Sequence, residues 1–162
     1  LVGSEMCIRD SLSGKMRKLI LMGCSGAGKT TLAQALRGER IAYQKTQYIR
    51  RSGYIIDTPG EYLQVGNMGA ALALYAYEAD VVGLLASAVE SYCVYPPNIT
   101  CMVNREVIGI VTKIDEQGAK PELAEQWLKN AGCRTVFRVN AKTGEGVSDI
   151  WEYLCKPEER SF

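Results

Sequence analysis

Gly23-Cys24-Ser25-Gly26-Ala27-Gly28-Lys29-Thr30 spells G-x-x-x-x-G-K-T, the pattern of a phosphate-binding loop. The apolar run Lys18-Leu19-Ile20-Leu21-Met22 leads into it, and the helical run Thr31-Leu32-Ala33-Gln34-Ala35-Leu36 leads out. This pattern predicts a strand over 17–22, a helix over 29–37 and a helix stop at Gly38. Glycines let backbone N–H groups turn inward onto phosphate oxygens, and the helix N-terminus adds a partial positive charge. Gly23, Ser25, Gly26, Ala27, Gly28, Lys29, Thr30 and Thr31 are therefore the expected nucleotide-binding residues of this loop. Lys29 is expected to reach the β- and γ-phosphates, and the Thr30 hydroxyl to ligate Mg²⁺. The plainer alternative is a strand-to-helix turn rich in glycine; the Lys-Thr pair and both flanks argue against it.

Outward from the loop, the composition bounds the rest. The chain has 162 residues and is 47% hydrophobic, enough for one domain with a full core. A net charge of +1 gives no field for nucleic acid or an anionic membrane. No apolar run reaches the roughly 18 residues of a membrane span, and no signal-peptide pattern is visible. Six cysteines stand at positions 7, 24, 93, 101, 133 and 155, with no C-x-x-C pair and no histidine in the chain. That argues against structural zinc and against Ser-His or Cys-His nucleophiles. Scattered free thiols suit a reducing cytoplasm, the expected location.

Residues 1–15 lack periodicity and are expected to be a disordered leader or a sequence scar, with Met16 as the native start. A targeting extension is the competing reading. Residues 39–47 read as a loop; Tyr48-Ile49 and Tyr54-Ile55-Ile56 flank Arg50-Arg51-Ser52-Gly53 as a short hairpin. Asp57-Thr58-Pro59-Gly60 closes the third strand. A carboxylate there can hold Mg²⁺ through its water shell opposite Thr30, and the Gly60 amide is placed to sense a γ-phosphate. Met68, Ala71, Leu72 and Tyr75 predict a helix with one buried face. Val81 to Ala86 and Glu106 to Val111 read as buried strands, with a short helix between them over 97–102. Leu123, Ala124, Trp127, Leu128 and Ala131 predict an amphipathic helix, Arg134 to Val139 a last strand, and Val147, Ile150, Trp151 and Leu154 the closing helix. The alternation predicts an α/β, three-layer P-loop NTPase fold. Its sheet is mostly parallel, of about six strands, with a short antiparallel edge strand and helices on both faces. In such sheets ligands sit at the carboxyl ends of the strands, where every polar signal here falls.

Four signals come in one order: GCSGAGKT, DTPG, TKID and NAKTGEG. Over 16–156 the chain resembles the Ras-like GTPase superfamily, leaving 157–162 as a tail. Asp57-Thr58-Pro59-Gly60-Glu61-Tyr62, with Lys45-Thr46-Gln47 upstream, narrows the resemblance to the EutP/PduV family of ethanolamine- and propanediol-utilisation proteins. The resemblance implies GTP and GDP as ligands with Mg²⁺, and a bacterial microcompartment component, shell or enzyme, as partner. It implies that Asp115 accepts two hydrogen bonds from guanine and that the Lys113 stem lies along the ring. Ala141 offers its N–H to guanine O6, with Lys142 alongside. Thr46 becomes the switch threonine that closes on Mg²⁺ and γ-phosphate, so Thr30, Thr46 and Asp57 form the metal set and Lys29, Thr46 and Gly60 the catalytic set. Two positions depart from the pattern: Thr112 replaces the Asn of N-K-x-D, its hydroxyl still able to tie that loop to the phosphate loop, and Asn140 stands where Ser is usual. Glu61 stands where a water-orienting Gln is common, and reads as a solvated switch residue rather than a base, which implies slow turnover. Arg50 and Arg51 read as a solvated hairpin tip rather than an arginine finger. Two other functions fit the loop alone: an ATP-dependent phosphotransferase acting on a small metabolite, and a nucleotide-binding module without turnover.

Overall fold

The apolar run ahead of the phosphate loop forms β1 (Leu19–Met22), with all four side chains buried. Side chains alternate across a strand, so β1 serves two cores at once. Leu19 and Leu21 join one cluster, and Ile20 and Met22 join the other. A computed structural model of the chain describes residues 16–38, 50–59 and 68–156, and of 50–52 the backbone alone. The expected leader 1–15, the loop 39–47, the hairpin arm Tyr48-Ile49, the tail 157–162 and the candidate residues Thr46, Gly60 and Glu61 lie outside the described residues. The side chains of Arg50 and Arg51, the expected hairpin tip, lie outside the described residues as well.

Among the described residues the sheet has six strands. Besides β1 these are β2 (Arg50–Ser52), β3 (Ile55–Asp57), β4 (Val81–Ser87), β5 (Glu106–Thr112) and β6 (Thr135–Arg138), in the order β2-β3-β1-β4-β5-β6. Only β2 and β3 pair antiparallel; the other neighbours are parallel. The helices are α1 (Lys29–Arg37), α2 (Met68–Ala76), α3 (Pro121–Asn130) and α4 (Val147–Cys155), with a 3-10 turn at Ile99–Met102. Leu32, Ala33 and Leu36 of α1 and Val147, Ile150 and Leu154 of α4 cover one face. Leu72 and Ala76 of α2 and Ala124 and Leu128 of α3 cover the other. This is the three-layer P-loop NTPase fold, with its short antiparallel edge strand. Among the described residues, no helix is long and apolar enough to cross a membrane.

Several boundaries differ from the sequence pattern: β4 and β5 each run one residue further, to Ser87 and Thr112, and the short helix starts at Ile99 rather than 97. β1 starts at Leu19 rather than 17, because Arg17 and Lys18 serve other partners. The Arg17 amide donates to Leu154 O at 3.1 Å, and the Lys18 amide to Asp80 Oδ2 at 2.8 Å. The buried Arg17 guanidinium reaches Glu106 and Tyr153 O and lies 4.8 Å over the Tyr153 ring. β6 covers Thr135–Arg138, one residue shorter at each end than expected. Within α3, Leu123 is 41% exposed although its spacing placed it on the buried stripe; Ala124 and Leu128, one turn apart, take the core positions. In α2 only Leu72 and Ala76 are buried, while Leu74 faces solvent.

Gly109 of β5 lies between Leu84 and Val136 in register. A Cβ there would stand 3.0 Å from Leu128 Cβ and 3.1 Å from Val136 Cγ2. The Leu128 Cβ is fixed to the α3 backbone, so it yields only if the helix moves. Gly109→Ala is expected to destabilise the chain by about 1–3 kcal/mol in urea denaturation; an unchanged midpoint would show that α3 shifts without penalty.

Candidate phosphate and nucleotide site

The site is built at the carboxyl rim of the sheet, where β1 turns into α1. Gly26 and Gly28 have φ of +80° and +91°, the left-handed region that a side chain opposes. Gly28 caps α1, and its carbonyl accepts from the Leu32 amide at 2.9 Å. Gly23 is required for a different reason. A Cβ there would lie 3.1 Å from Leu85 Cβ and 3.2 Å from Leu85 O, so the loop starts pressed against β4.

Lys29 is buried and donates to Gly23 O at 2.7 Å and Cys24 O at 2.8 Å. Burial holds its ammonium below the ordinary lysine value, against the pull of Asp57, Cys24 and Glu90. A cation held among neutral carbonyls is matched to an incoming anion. Thr30 Oγ1 donates to Asp57 Oδ2 at 2.9 Å, which brings the end of β3 against the start of α1. This hydroxyl and carboxylate are hard oxygen donors of the kind Mg²⁺ takes. Ser25 is exposed on the loop, Ala27 is fully buried beneath it, and Thr31 is half-buried in the first turn of α1.

The end of β5 docks onto the same loop. Thr112 Oγ1 donates to Ala27 O at 2.6 Å, and Lys113 Nζ donates to Gly26 O at 2.7 Å. Lys113 adopts a φ of +58°, which costs a lysine roughly 1–2 kcal/mol; the bond to Gly26 offsets part of that. Asp115 follows in an exposed turn. Beyond β6, Asn140 is buried and organises the last loop. Its Oδ1 accepts from the Lys142 amide at 3.1 Å and the Thr143 amide at 3.4 Å. Its own amide donates to Glu145 O at 2.9 Å. Ala141 sits half-buried against the core, and Lys142 is exposed.

The structure thus brings Lys29, Thr30, Asp57, Thr112 and Lys113 into one hydrogen-bonded rim, with the Asn140 loop following β6, the third strand from β1. Two members were not singled out from sequence. Thr58 Oγ1 donates to Leu21 O at 2.7 Å and ties β3 to β1; its signal was its place inside D-x-P-G. Glu90 lies in the least regular stretch, so no periodicity marked it. Burial pushes its carboxyl above the usual range, against a backbone contact at Ser87 and the charges of Lys113 and Lys29.

Residues 16–156 match the family model described as ethanolamine utilisation – propanediol utilisation, PduV-EutP. The chain is 42% identical over 146 residues to propanediol utilization protein PduV of Citrobacter freundii, covering 88% of this chain and 96% of that one. It is 29% identical over 148 residues to a protein named probable acetate kinase EutP of Salmonella typhimurium, covering 90% and 93%. It is also 27% identical over 173 residues to translation initiation factor IF-2 of Thermus thermophilus, spanning 90% of this chain and 29% of that factor. The chain belongs to the PduV-EutP family of ethanolamine- and propanediol-utilisation proteins.

Proposed function

We propose that this chain is a Mg²⁺-dependent GTP-binding switch that hydrolyses GTP slowly to GDP and phosphate, in the cytoplasm and in association with a utilisation microcompartment. One observation carries the reading. Thr112 and Lys113 both donate to carbonyls of the phosphate loop. A nucleotide has a base and phosphates, and such a tie couples the loop for one to the loop for the other. Gly23, Ser25, Gly26, Ala27, Gly28 and Thr31 line the phosphate path, and Lys29 holds the β- and γ-phosphates. Thr30, Asp57 and Thr46 form the metal set. Mg²⁺, when bound, neutralises phosphate charge. Thr46 and Gly60 hold two loops to the γ-phosphate, and hydrolysis releases them. Asp115 accepts from guanine, with Lys113 along the ring and Ala141, Lys142 and Asn140 closing the base site. An acceptor-only carboxylate fits guanine N–H groups and not the edge of adenine.

The relative named as a probable acetate kinase supports a second reading, transfer of phosphate from ATP to a small carboxylate. Titration with Mg²⁺-GTP and Mg²⁺-ATP separates the two. The switch reading expects GTP to bind tighter by roughly a hundredfold, and Asp115→Asn to transfer preference to xanthine nucleotide. Equal affinities and a silent Asp115→Asn would overturn it. Formation of acetyl phosphate from ATP and acetate, trapped with hydroxylamine, would establish the kinase reading instead.

Lys29 separates ligand binding from folding. Its ammonium is already penalised by burial in the free chain, so Lys29→Met is expected to change unliganded stability by no more than about 1 kcal/mol. Nucleotide affinity is expected to fall by a hundredfold or more, an order-of-magnitude figure for a lost charge-assisted contact. Urea denaturation and nucleotide titration of one preparation measure both. Retained binding would remove Lys29 from the phosphate site.

A further inference from the structure

We propose that Tyr95 is a positioning residue of the phosphate loop: its buried hydroxyl spans the carboxyl ends of β1 and β4 and holds the first turn of the loop in its phosphate-binding shape. The inference rests on the reading of that loop as a nucleotide site, and adds a residue from outside it.

β1 and β4 pair in register from Leu19↔Val81 to Met22↔Leu84. One residue further, β1 has become Gly23 of the loop, and Leu85 has no β1 partner in that register. The Tyr95 hydroxyl fills the gap. It donates to Leu85 O at 2.5 Å and stands 3.4 Å from Met22 O. It carries a single proton, so Leu85 takes the bond and Met22 the weaker contact. Leu85 is the residue against which Gly23 packs, so the hydroxyl fixes the surface on which the loop starts.

Tyr95 is itself held in place. It is 6% exposed and packs in the core cluster on the α2 and α3 side. Cys93 Sγ donates to Tyr95 O at 3.4 Å. The segment that carries it leaves β4 through Ala88, whose amide donates to Thr112 O at 2.9 Å and whose carbonyl accepts from the Lys120 amide at 2.6 Å. Thr112 in turn binds Ala27 O. One connection therefore braces the phosphate loop at two points, through Tyr95 below Gly23 and through Thr112 below Ala27. Burial, then the neighbouring Cys24 and Glu90, pushes the phenol ionisation far up, so the hydroxyl remains a donor at any working pH. Lys29 has three N–H donors, and two already serve Gly23 O and Cys24 O. Tyr95 secures the strand end without drawing on the third, which is left for phosphate.

The test uses the full chain and two variants that each lose one hydroxyl. Tyr95→Phe keeps the buried ring. Tyr153→Phe is the control, since the Tyr153 hydroxyl donates to Glu106 at the opposite end of the sheet. Affinities for GDP and GMP are measured by competition, alongside thermal melting. Tyr95→Phe is expected to weaken GDP about fivefold and GMP less than about twofold, because the β-phosphate depends most on the loop. Tyr153→Phe is expected to lower the melting temperature with the GDP-to-GMP ratio unchanged. An unchanged ratio in Tyr95→Phe, an equal change in Tyr153→Phe, or a Tyr95→Phe chain that does not fold with saturating GDP would each overturn the proposal while GDP still binds the unsubstituted protein. If the unsubstituted protein binds no nucleotide, the reading of the site fails and this inference fails with it.

Discussion

Leu19, Ile20, Leu21 and Met22 point alternately into two cores, and the geometry of the rim depends on that division. A strand with solvent on one face could tilt. One packed on both faces is held between α1 and α4 on one side and α2 and α3 on the other. The phosphate loop leaves the end of this clamped strand, so its first residue starts from a fixed place. Thr58 and Tyr95 then bond carbonyls of the same strand end or its neighbour from opposite sides, at Leu21 O and Leu85 O.

Much of this was legible because it is periodic. Apolar runs in solid blocks between helical patterns gave the order of elements, and G-x-x-x-x-G-K-T located the carboxyl rim. The hard donors at Thr30 and Asp57 were expected opposite one another, and their side chains meet at 2.9 Å. Boundaries were less legible, because they are decided by partners far along the chain. Arg17 and Lys18 look like strand residues locally, yet Leu154, Glu106 and Asp80 claim them. Leu123 fits the helical stripe by spacing but lies at its outer edge, since α3 meets the sheet through Ala124 and Leu128.

Single side chains in aperiodic segments were the least legible. Tyr95 and Glu90 fall in a stretch with two prolines and no repeat, where no pattern separates a buried phenol or a half-buried carboxylate from a solvated one. Tyr95 is buried where the β1–β4 pairing ends at Met22 and Leu84, a place set by the sheet and not by its neighbours in sequence. The Thr112 hydroxyl is the exception: the resemblance implied its tie to the phosphate loop, and it donates to Ala27 O across the sheet.

The contact between Arg17 and the end of α4 has a mechanical consequence. The Arg17 amide and guanidinium bind the carbonyls of Leu154 and Tyr153, so the residue before β1 and the end of α4 meet at one spot, at the amino end of the sheet. The glycine-rich loop after β1 and the Thr112–Lys113 turn after β5 occupy the carboxyl end. A pull on residue 17 or on residues 153–154 therefore loads the same corner, at the opposite end of the sheet from Gly23.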